Sequence, residues 1–360
     1  MAAYKEGEVV RVVEEGDDLV RVTVTVEGSE VAAVGYPFML GRVRPGDRVV
    51  VNTTGLDLGL GTGGAGFILW NLDGPAPPGP REGHIVKLRY TPWQTEVASV
   101  EAQESPHHAR LETLESIEGM PVVAASLHSQ VAAIAAGIKA AGPGTRVGYL
   151  MTDGGALPLA WSNLVRELRR AELIDVSCTC GHAFGGDLEA VNVFSGLAAL
   201  RAVAEVDVAI VAMGPGVVGT ASALGFTGME QGQTLDAAAA LGGTGVAALR
   251  ISFVDPRERH RGVSHHSLTA LRLAARESTT VVVPVLPDDQ RVVVEAQLEQ
   301  VRLSERHRIV TESDSAGLAL LEEREVHPTS MNRSVQQVPE LFLAGAAAGH
   351  HAVSVGGATT

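Results

Sequence analysis

The sequence predicts a two-part α/β protein. A small β-rich barrel or sandwich over residues 1–112 precedes a doubly wound, mostly parallel Rossmann-like sheet over residues 113–360. Three observations predict this fold class. Apolar and polar residues alternate with a period of two near the N-terminus, apolar runs alternate with helical segments from about residue 119, and 360 residues exceed the usual size of one domain.

The N-terminal part has the pattern of short amphipathic strands. Valines occupy every second position of Val20–Val26, with arginine and threonine between them. Shorter apolar runs at 9–13, 31–34, 48–51 and 67–72 are separated by glycine, aspartate and proline. Strands of this length and spacing predict a small barrel or sandwich. The polar, acidic segment 93–118 places the end of this domain near residue 112.

The second part alternates apolar runs with helical segments. Strands are predicted at 122–127, 146–151, 174–179, 206–213, 246–253, 280–285, 308–311 and 340–344, and helices at 157–172, 188–204, 264–277 and 289–303. Most of these strands are apolar throughout, which a sheet covered on both faces requires. Regular strand–helix repetition favours parallel pairing, and therefore a Rossmann-like sheet.

Composition restricts the partners. The net charge of −14 argues against nucleic acid and an anionic membrane, although it leaves a homo-oligomer open. The two cysteines, Cys178 and Cys180, are too close in sequence to form a disulfide framework, and they fit a reducing compartment. The N-terminal residues lack a signal-peptide pattern. We therefore expect a cytoplasmic protein.

Polar and glycine residues gather where the predicted strands end, which is where open parallel sheets bind ligands. They are Ser126, His128 and Ser129 at the first strand of the sheet, Asp153, Gly154 and Gly155 at the second, and Gly214 and Gly216 at the fourth. His128 and Asp153 are candidate catalytic residues, because imidazole, carboxylate and hydroxyl groups together can transfer protons. Capping of a helix by Ser126 or Ser129 is the alternative.

The segment 257–266 is the most basic part of the second domain. Arg257, Arg259, Arg261 and His265 are predicted to hold a phosphate or carboxylate, and Ser264 stands where a helix N-cap belongs. The neighbouring His260 and His266 are candidate acid–base groups. The alternative is an exposed basic loop that forms salt bridges with an acidic surface.

Two further patterns have competing interpretations. Cys178, Cys180 and His182 are candidate metal ligands, but C-x-C-x-H is not a standard zinc spacing, and a buried structural cysteine is the commoner case. Gly214, Gly216 and Gly219 match G-x-G-x-x-G, yet the acidic residue expected about 20 residues further on is missing. A tight turn is therefore favoured over a dinucleotide site, and the sequence assigns no cofactor.

Four longer motifs carry a family resemblance: SLHSQ, MTDGGALPLA, MGPGVVGTASALGFTGMEQGQ and DPRERHRGVSHHSLTALRLA. Together they resemble an uncharacterised bacterial family from Gram-positive lineages, a domain of unknown function. The resemblance covers nearly the whole chain, but it implies no substrate, cofactor or catalytic residue.

The leading functional hypothesis is an enzyme that binds a small anionic ligand at the carboxyl ends of the strands and catalyses hydrolysis or group transfer. The alternative is a non-catalytic ligand-sensing or scaffold protein that uses the same pocket. A metal-dependent hydrolase is the third interpretation.

Overall fold

The computed structural model describes residues 2–59, 64–75, 83, 85–313 and 315–356. The chain forms two compact units, Met1–Val97 and Ala98–Thr360. The division therefore lies before residue 112, and residues 98–112 belong to the second unit. Backbone and side-chain bonds explain this: the Val100 N–H donates to the Glu189 carbonyl at 2.8 Å, and Glu101 Oε1 accepts from the Val191 N–H at 2.8 Å.

The first unit is a closed five-stranded barrel, so the predicted β-rich class is confirmed as a barrel. Its strands pair in the order β1-β2-β3-β5-β4, and β3 and β5 are parallel, whereas the other neighbouring strands are antiparallel. The alternating valines of Val20–Val26 point into the barrel core, as their period of two predicts. The elements of this unit are β1 (Tyr4–Glu15), β2 (Val20–Val26), β3 (Ser29–Gly35), α1 (Pro37–Leu40), β4 (Arg48–Asn52), α2 (Thr54–Asp57), β5 (Gly66–Asn71) and the hairpin β6 (Ile85–Lys87) with β7 (Thr95–Val97).

The second unit contains an eight-stranded, all-parallel sheet in the order β11-β10-β9-β12-β8-β13-β16-β17. These strands are β8 (Pro121–Ala124), β9 (Val147–Thr152), β10 (Val176–Thr179), β11 (Leu188–Glu189), β12 (Val208–Met213), β13 (Thr244–Ala248), β16 (Thr280–Pro284) and β17 (Arg308–Glu312). A separate antiparallel pair consists of β14 (Ile251–Ser252) and β15 (Gly262–Val263). This arrangement confirms the predicted Rossmann-like sheet.

Helices cover both faces of this sheet, which is why its strands are apolar throughout. On β9, Tyr149 packs into the apolar cluster that contains α4, whereas the next residue, Leu150, packs into the cluster that contains α6. The helices are α3 (His108–Leu111), α4 (Gln130–Ala141), α5 (Asn163–Arg170), α6 (Val193–Ala202), α7 (Glu230–Ala240), α8 (His265–Thr269), which runs on into a π-helical turn (Ala270–Ala274), α9 (Asp288–Gln300), α10 (Ala316–Glu323) and α11 (Pro339–Gly356).

The predicted strand at 340–344 is wrong, because these residues form the start of helix α11. A short apolar run does not distinguish a strand from a buried helix, and here the alanine- and glycine-rich continuation decides for the helix. Gly137 of α4 and Gly349 of α11 have no room for a Cβ, since each faces a backbone carbonyl of the other helix. The two helices therefore pack backbone to backbone. Across the described ranges, no helix is both long enough and apolar enough to cross a membrane.

Candidate functional site

The site residues follow four strands that are neighbours in the sheet, β9, β12, β8 and β13. Their carboxyl ends lie along one edge, at about 4.8 Å from strand to strand. Side-chain contacts divide the residues at this edge into three groups. We call them the histidine–arginine cluster, the carboxyl pair and the serine–histidine pair, and we define each below.

The histidine–arginine cluster is built on the segment after β13 and consists of Arg250, Asp255, Arg257, Arg259, His260, Ser264, His265 and His266. Ser264 caps α8 as predicted, because its Oγ accepts from the His266 N–H at 3.2 Å. The same oxygen lies 2.7 Å from His260 Nδ1. One serine hydroxyl thus fixes both the start of the helix and the orientation of a buried imidazole.

Three imidazole rings pack against one another in this cluster. Their centroids are 4.4 Å apart for His265 and His266, and 5.0 Å from each of these to His260. Phe226, from the loop after β12, stacks flat on His266 at 4.1 Å. The His265 Nε2 atom is buried and has no hydrogen-bond partner among the residues that the structure describes. A buried polar nitrogen in this position is available to a ligand.

Arg250 brings a buried positive charge into the cluster that is only partly compensated. Its side chain is 7% exposed, and its Nη1 donates to His266 Nδ1 at 3.2 Å. The nearest carboxylate oxygen, Asp255 Oδ2, is 4.0 Å from Arg250 Nη2. That carboxylate is already held by Arg257, whose Nε and Nη2 donate to its two oxygens at 2.9 and 2.8 Å. Within the described part of the chain, no hydrogen bond or ion pair engages the Arg259 guanidinium, so positive charge is in excess.

Burial, and after it this excess of positive charge, lowers the pKa of each imidazole in the cluster. Burial, followed by the Arg250 charge, lowers the pKa of His260 and of His266 to about 3. Burial, followed by Arg259, also lowers the pKa of His265. Burial and the neighbouring Arg257 lower the pKa of Arg250 itself to about 10. The rings are therefore neutral at pH 7 and lie among cations.

His260, His265 and His266 also have the spacing of a metal site, since their ligand atoms lie within 4.8 Å of one another. The charge around them favours an anion instead. Arg250 donates to the Nδ1 lone pair of His266, so the neutral ring carries its proton on Nε2 and has no second lone pair to offer. A metal cation would also add to a charge that is already in excess.

The carboxyl pair consists of Asp153, after β9, and Glu230, the first residue of α7. Thr152 Oγ1 donates to Glu230 Oε1 at 2.6 Å, and Gly154 lies so close that a Cβ there would come within 2.6 Å of Oε2. Burial raises the pKa of Glu230 to about 7, and the Asp153 charge adds to this rise. Asp153 Oδ2 accepts from the His182 N–H at 2.9 Å. Glu230 therefore exchanges its proton near neutral pH.

The serine–histidine pair consists of His128, after β8, and Ser162, the N-cap of α5. His128 Nε2 lies 2.6 Å from Ser162 Oγ, and His128 Nδ1 lies 3.2 Å from the Met213 carbonyl. Tyr149 Oη is 3.1 Å from the same Nδ1. Because a carbonyl can only accept, Nδ1 carries the proton and Nε2 accepts from the Ser162 hydroxyl. Burial lowers the pKa of His128 to about 4, so the ring is a neutral base at pH 7.

The predicted hydroxyl partners of His128 lie elsewhere. Ser129 Oγ donates to Ser330 Oγ at 3.0 Å, and Ser126 Oγ is buried without a hydrogen-bond partner among the described residues. Asp153 contacts the backbone of His182 rather than an imidazole ring. Ser126, Ser129, His128 and Asp153 thus share the edge of the sheet, but their contacts do not join them into one hydroxyl–imidazole–carboxylate set.

The predicted glycines have backbone reasons for their identity. A Cβ on Gly155 would collide with the Gly214 carbonyl, and the Ala156 N–H donates to the Pro215 carbonyl at 2.8 Å. These contacts let the ends of β9 and β12 meet. Gly216 has φ +105°, a conformation that favours glycine, on an exposed loop. That loop continues to a short helix at Thr227–Met229 before α7 begins, so the strand–turn–helix context of a dinucleotide fingerprint is missing there.

The remaining predicted residues are distributed as follows. Arg261 is exposed, and its carbonyl accepts from Gln297 Nε2 at 2.9 Å. Cys178 and Cys180 are buried thiols in the apolar cluster beneath α6. The group of metal-binding type that forms among the described residues is the trihistidine set, which does not include Cys178, Cys180 or His182.

Comparison with known protein families finds one that matches this chain. Residues 32–349 match the family described as "Protein of unknown function (DUF3866)". The chain belongs to the DUF3866 family. The matched range begins in β3 and ends within α11, so it contains all three groups of site residues. No curated protein and no solved structure matches the chain.

Membership in the DUF3866 family confirms the resemblance found in the sequence motifs, and the family name assigns no activity.

Three residues that the sequence did not single out become prominent in this DUF3866 protein. Arg250 lies inside the predicted strand 246–253, whereas β13 ends at Ala248 and exposes Arg250 to the cluster. Ser162 lies inside the predicted helix 157–172, whereas α5 begins after it. Phe226 had no distinguishing sequence signal.

Proposed function

We propose that the α/β unit binds a small phosphate- or carboxylate-bearing anion in the histidine–arginine cluster and catalyses hydrolysis or group transfer on it. The observation that carries this proposal is the buried guanidinium of Arg250. Among the described residues, its nearest carboxylate, that of Asp255, is 4.0 Å away and already paired with Arg257. A buried charge without close compensation is costly, and a bound anion would supply the missing negative charge.

The donors around Arg250 suit such an anion. Guanidinium groups bind phosphate and carboxylate through paired N–H bonds. The charges of Arg250 and Arg259 both act on the His265 ring, and Arg259 has no ion-pair partner among the described residues. His265 Nε2 is a further buried nitrogen without a hydrogen-bond partner among the described residues, and in the neutral tautomer that carries the proton on Nε2 it donates to an oxyanion. In this proposal His260 and His266 shape the pocket and Arg257 holds Asp255, while Arg250, Arg259 and His265 contact the ligand.

Two acid–base groups at the same sheet edge support chemistry in addition to binding. A catalytic acid or base works best when its pKa lies near the operating pH, and Glu230, with a pKa of about 7, meets this condition. His128 is neutral at pH 7, and its Nε2 accepts a hydrogen bond from the Ser162 hydroxyl. Proton transfer by such groups suits hydrolysis and group transfer, and it requires no cofactor.

Anion titration tests the proposal. Inorganic phosphate, pyrophosphate and succinate are titrated into the full chain by calorimetry in a chloride buffer of constant ionic strength. We expect at least one anion to bind the wild type, and Arg250→Met to reduce its affinity by about 100-fold, as loss of a charged hydrogen-bonding partner does. Arg272→Met, on the exposed side of the following turn, is the matched control and should bind as the wild type does. No binding by the wild type, or equal binding by Arg250→Met, would overturn the proposal.

The same proposal includes a cytoplasmic location and a small-molecule partner rather than nucleic acid. The net charge of −14 supports a small-molecule partner rather than nucleic acid. The reduced thiols of Cys178 and Cys180 support the cytoplasmic location. Fractionation of cells that express the tagged chain tests the location, and recovery of the protein in the extracellular medium would contradict it.

A further inference from the structure

Ser162 and His128 form a hydroxyl–imidazole pair in the geometry of an activated nucleophile. The Oγ–Nε2 distance is 2.6 Å, within the range of a strong hydrogen bond, although 34 residues separate the two in sequence. We propose that Ser162 is a nucleophile activated by His128, and that it accepts an acyl group from an ester-type substrate. The inference rests on the proposed function only for the reaction class, hydrolysis or group transfer.

The imidazole is oriented as a general base requires. The Met213 carbonyl at 3.2 Å holds the proton on Nδ1, which leaves the lone pair of Nε2 directed at Ser162 Oγ. Tyr149 Oη, 3.1 Å from Nδ1, donates in turn to the Ala212 carbonyl at 3.1 Å. A backbone carbonyl and a tyrosine thus take the place of the carboxylate that orients the base in Ser–His–Asp sets.

Capping of α5 does not account for all the contacts of Ser162. As an N-cap, its Oγ accepts from the Val165 N–H at 3.1 Å. A cap needs only a lone pair of the oxygen, so the hydroxyl proton stays free to bond to His128. Ser162 is 4% exposed. The capping bond fixes its side chain in the orientation that directs the hydroxyl proton at His128. Positioning of this kind is a large part of nucleophilic catalysis.

The reaction balances with water as the second reactant. Ser162 Oγ attacks the ester carbonyl, its proton passes to His128 Nε2, and the carbon–oxygen bond to the alcohol breaks as His128 returns the proton to the leaving oxygen. Water then attacks the acyl-serine, again losing a proton to His128. Cleavage of the acyl–Oγ bond restores the serine hydroxyl with that proton. Neither half requires an oxidant or a metal.

A serine-directed fluorophosphonate tests the pair without knowledge of the substrate. Attack forms the Oγ–phosphorus bond, releases fluoride and transfers the hydroxyl proton to His128. Intact-mass spectrometry and peptide mapping of the full chain should find one adduct, located on Ser162. Because the His128 pKa is about 4, the labelling rate should hold nearly constant from pH 8 to pH 5. No adduct on Ser162 would overturn the proposal.

Three variants separate a nucleophile from a cap. His128→Gln leaves the serine in place and should slow labelling by about 100-fold or more, as loss of a general base does. Ser162→Asn preserves capping, because asparagine is an equally good N-cap, so it should abolish labelling while the melting temperature moves by no more than about 4 °C. Ser354→Ala, on α11, should label like the wild type. Labelling of Ser162 at an unchanged rate in His128→Gln would overturn activation by His128, whatever the result of anion titration.

Discussion

Replacing Arg250 with methionine should make the free protein more stable, although it removes hydrogen bonds. Methionine fills most of the volume of the arginine side chain without its charge. If the cluster binds an anion, the Arg250 charge destabilises the folded state when no anion is bound. Its removal should therefore raise the free energy of unfolding of the free protein. Replacing a buried charge by an apolar side chain of similar volume is often neutral or stabilising.

The structure sets the size of this effect. Burial and Arg257 lower the pKa of Arg250 from 12.5 to about 10, which at 1.36 kcal/mol per unit is a penalty of about 3 kcal/mol on the charged form. Against this stands the bond to His266 Nδ1, whose loss leaves a buried acceptor unpaired at a cost of about 1–2 kcal/mol. The second bond lost, from Arg250 Nη2 to Met331 Sδ at 3.5 Å, adds little because a thioether is a weak acceptor. We therefore expect a net gain of about 1–2 kcal/mol in the free energy of unfolding.

Urea unfolding at pH 7 without added anions measures this gain. Trp70 and Trp93 belong to the first unit, Met1–Val97, and Trp161 belongs to the second. In a protein that carries Trp70→Phe and Trp93→Phe, tryptophan fluorescence therefore reports on the second unit alone. The midpoint should rise in Arg250→Met with an unchanged slope, and Arg272→Met in the same background should stay within about 0.5 kcal/mol. A loss of 2 kcal/mol or more in Arg250→Met would refute the reasoning, because Arg250 would then be a compensated structural charge.

Three further predictions concern other residues of the α/β unit. A carboxyl group whose pKa is raised from 4.5 to about 7 stabilises the fold fully below pH 4.5 and loses that contribution as the pH rises through 7. Glu230→Gln should therefore match the wild type near pH 4 and exceed it by up to about 3 kcal/mol at pH 8 in urea unfolding. A difference independent of pH would contradict the burial of this carboxyl group. Gly154→Ala should destabilise the α/β unit by about 1–3 kcal/mol in the same assay, because its Cβ meets Glu230 Oε2, whereas Gly144→Ala has open space and should be close to neutral. Cys178 and Cys180 should resist Ellman's reagent in the native protein and react fully in 6 M guanidinium, since both are buried; rapid reaction of the native protein would show that they are accessible.

Local patterns predicted much of the fold because they record which side of each element is buried. The period of two in Val20–Val26 predicted a half-buried strand, and the unbroken apolar runs predicted a sheet covered on both faces. The N-cap at Ser264 was also predictable, since capping depends on residues only two positions apart. The error at 340–344 arose where the local pattern fits both a strand and a buried helix.

The sequence by itself determined the two fold classes and the edge of the sheet where polar residues gather, because hydrophobic period and strand–helix order are local properties. Only the tertiary structure decided which of these residues meet. Thr152 bonds Glu230 across 78 positions, and His128 bonds Ser162 rather than the serines beside it. Strand order brings such residues together. The charge balance at Arg250 depends in the same way on the folding of the segment after β13. This folding pairs Asp255 with Arg257 at 2.8 Å and places the same carboxylate 4.0 Å from Arg250.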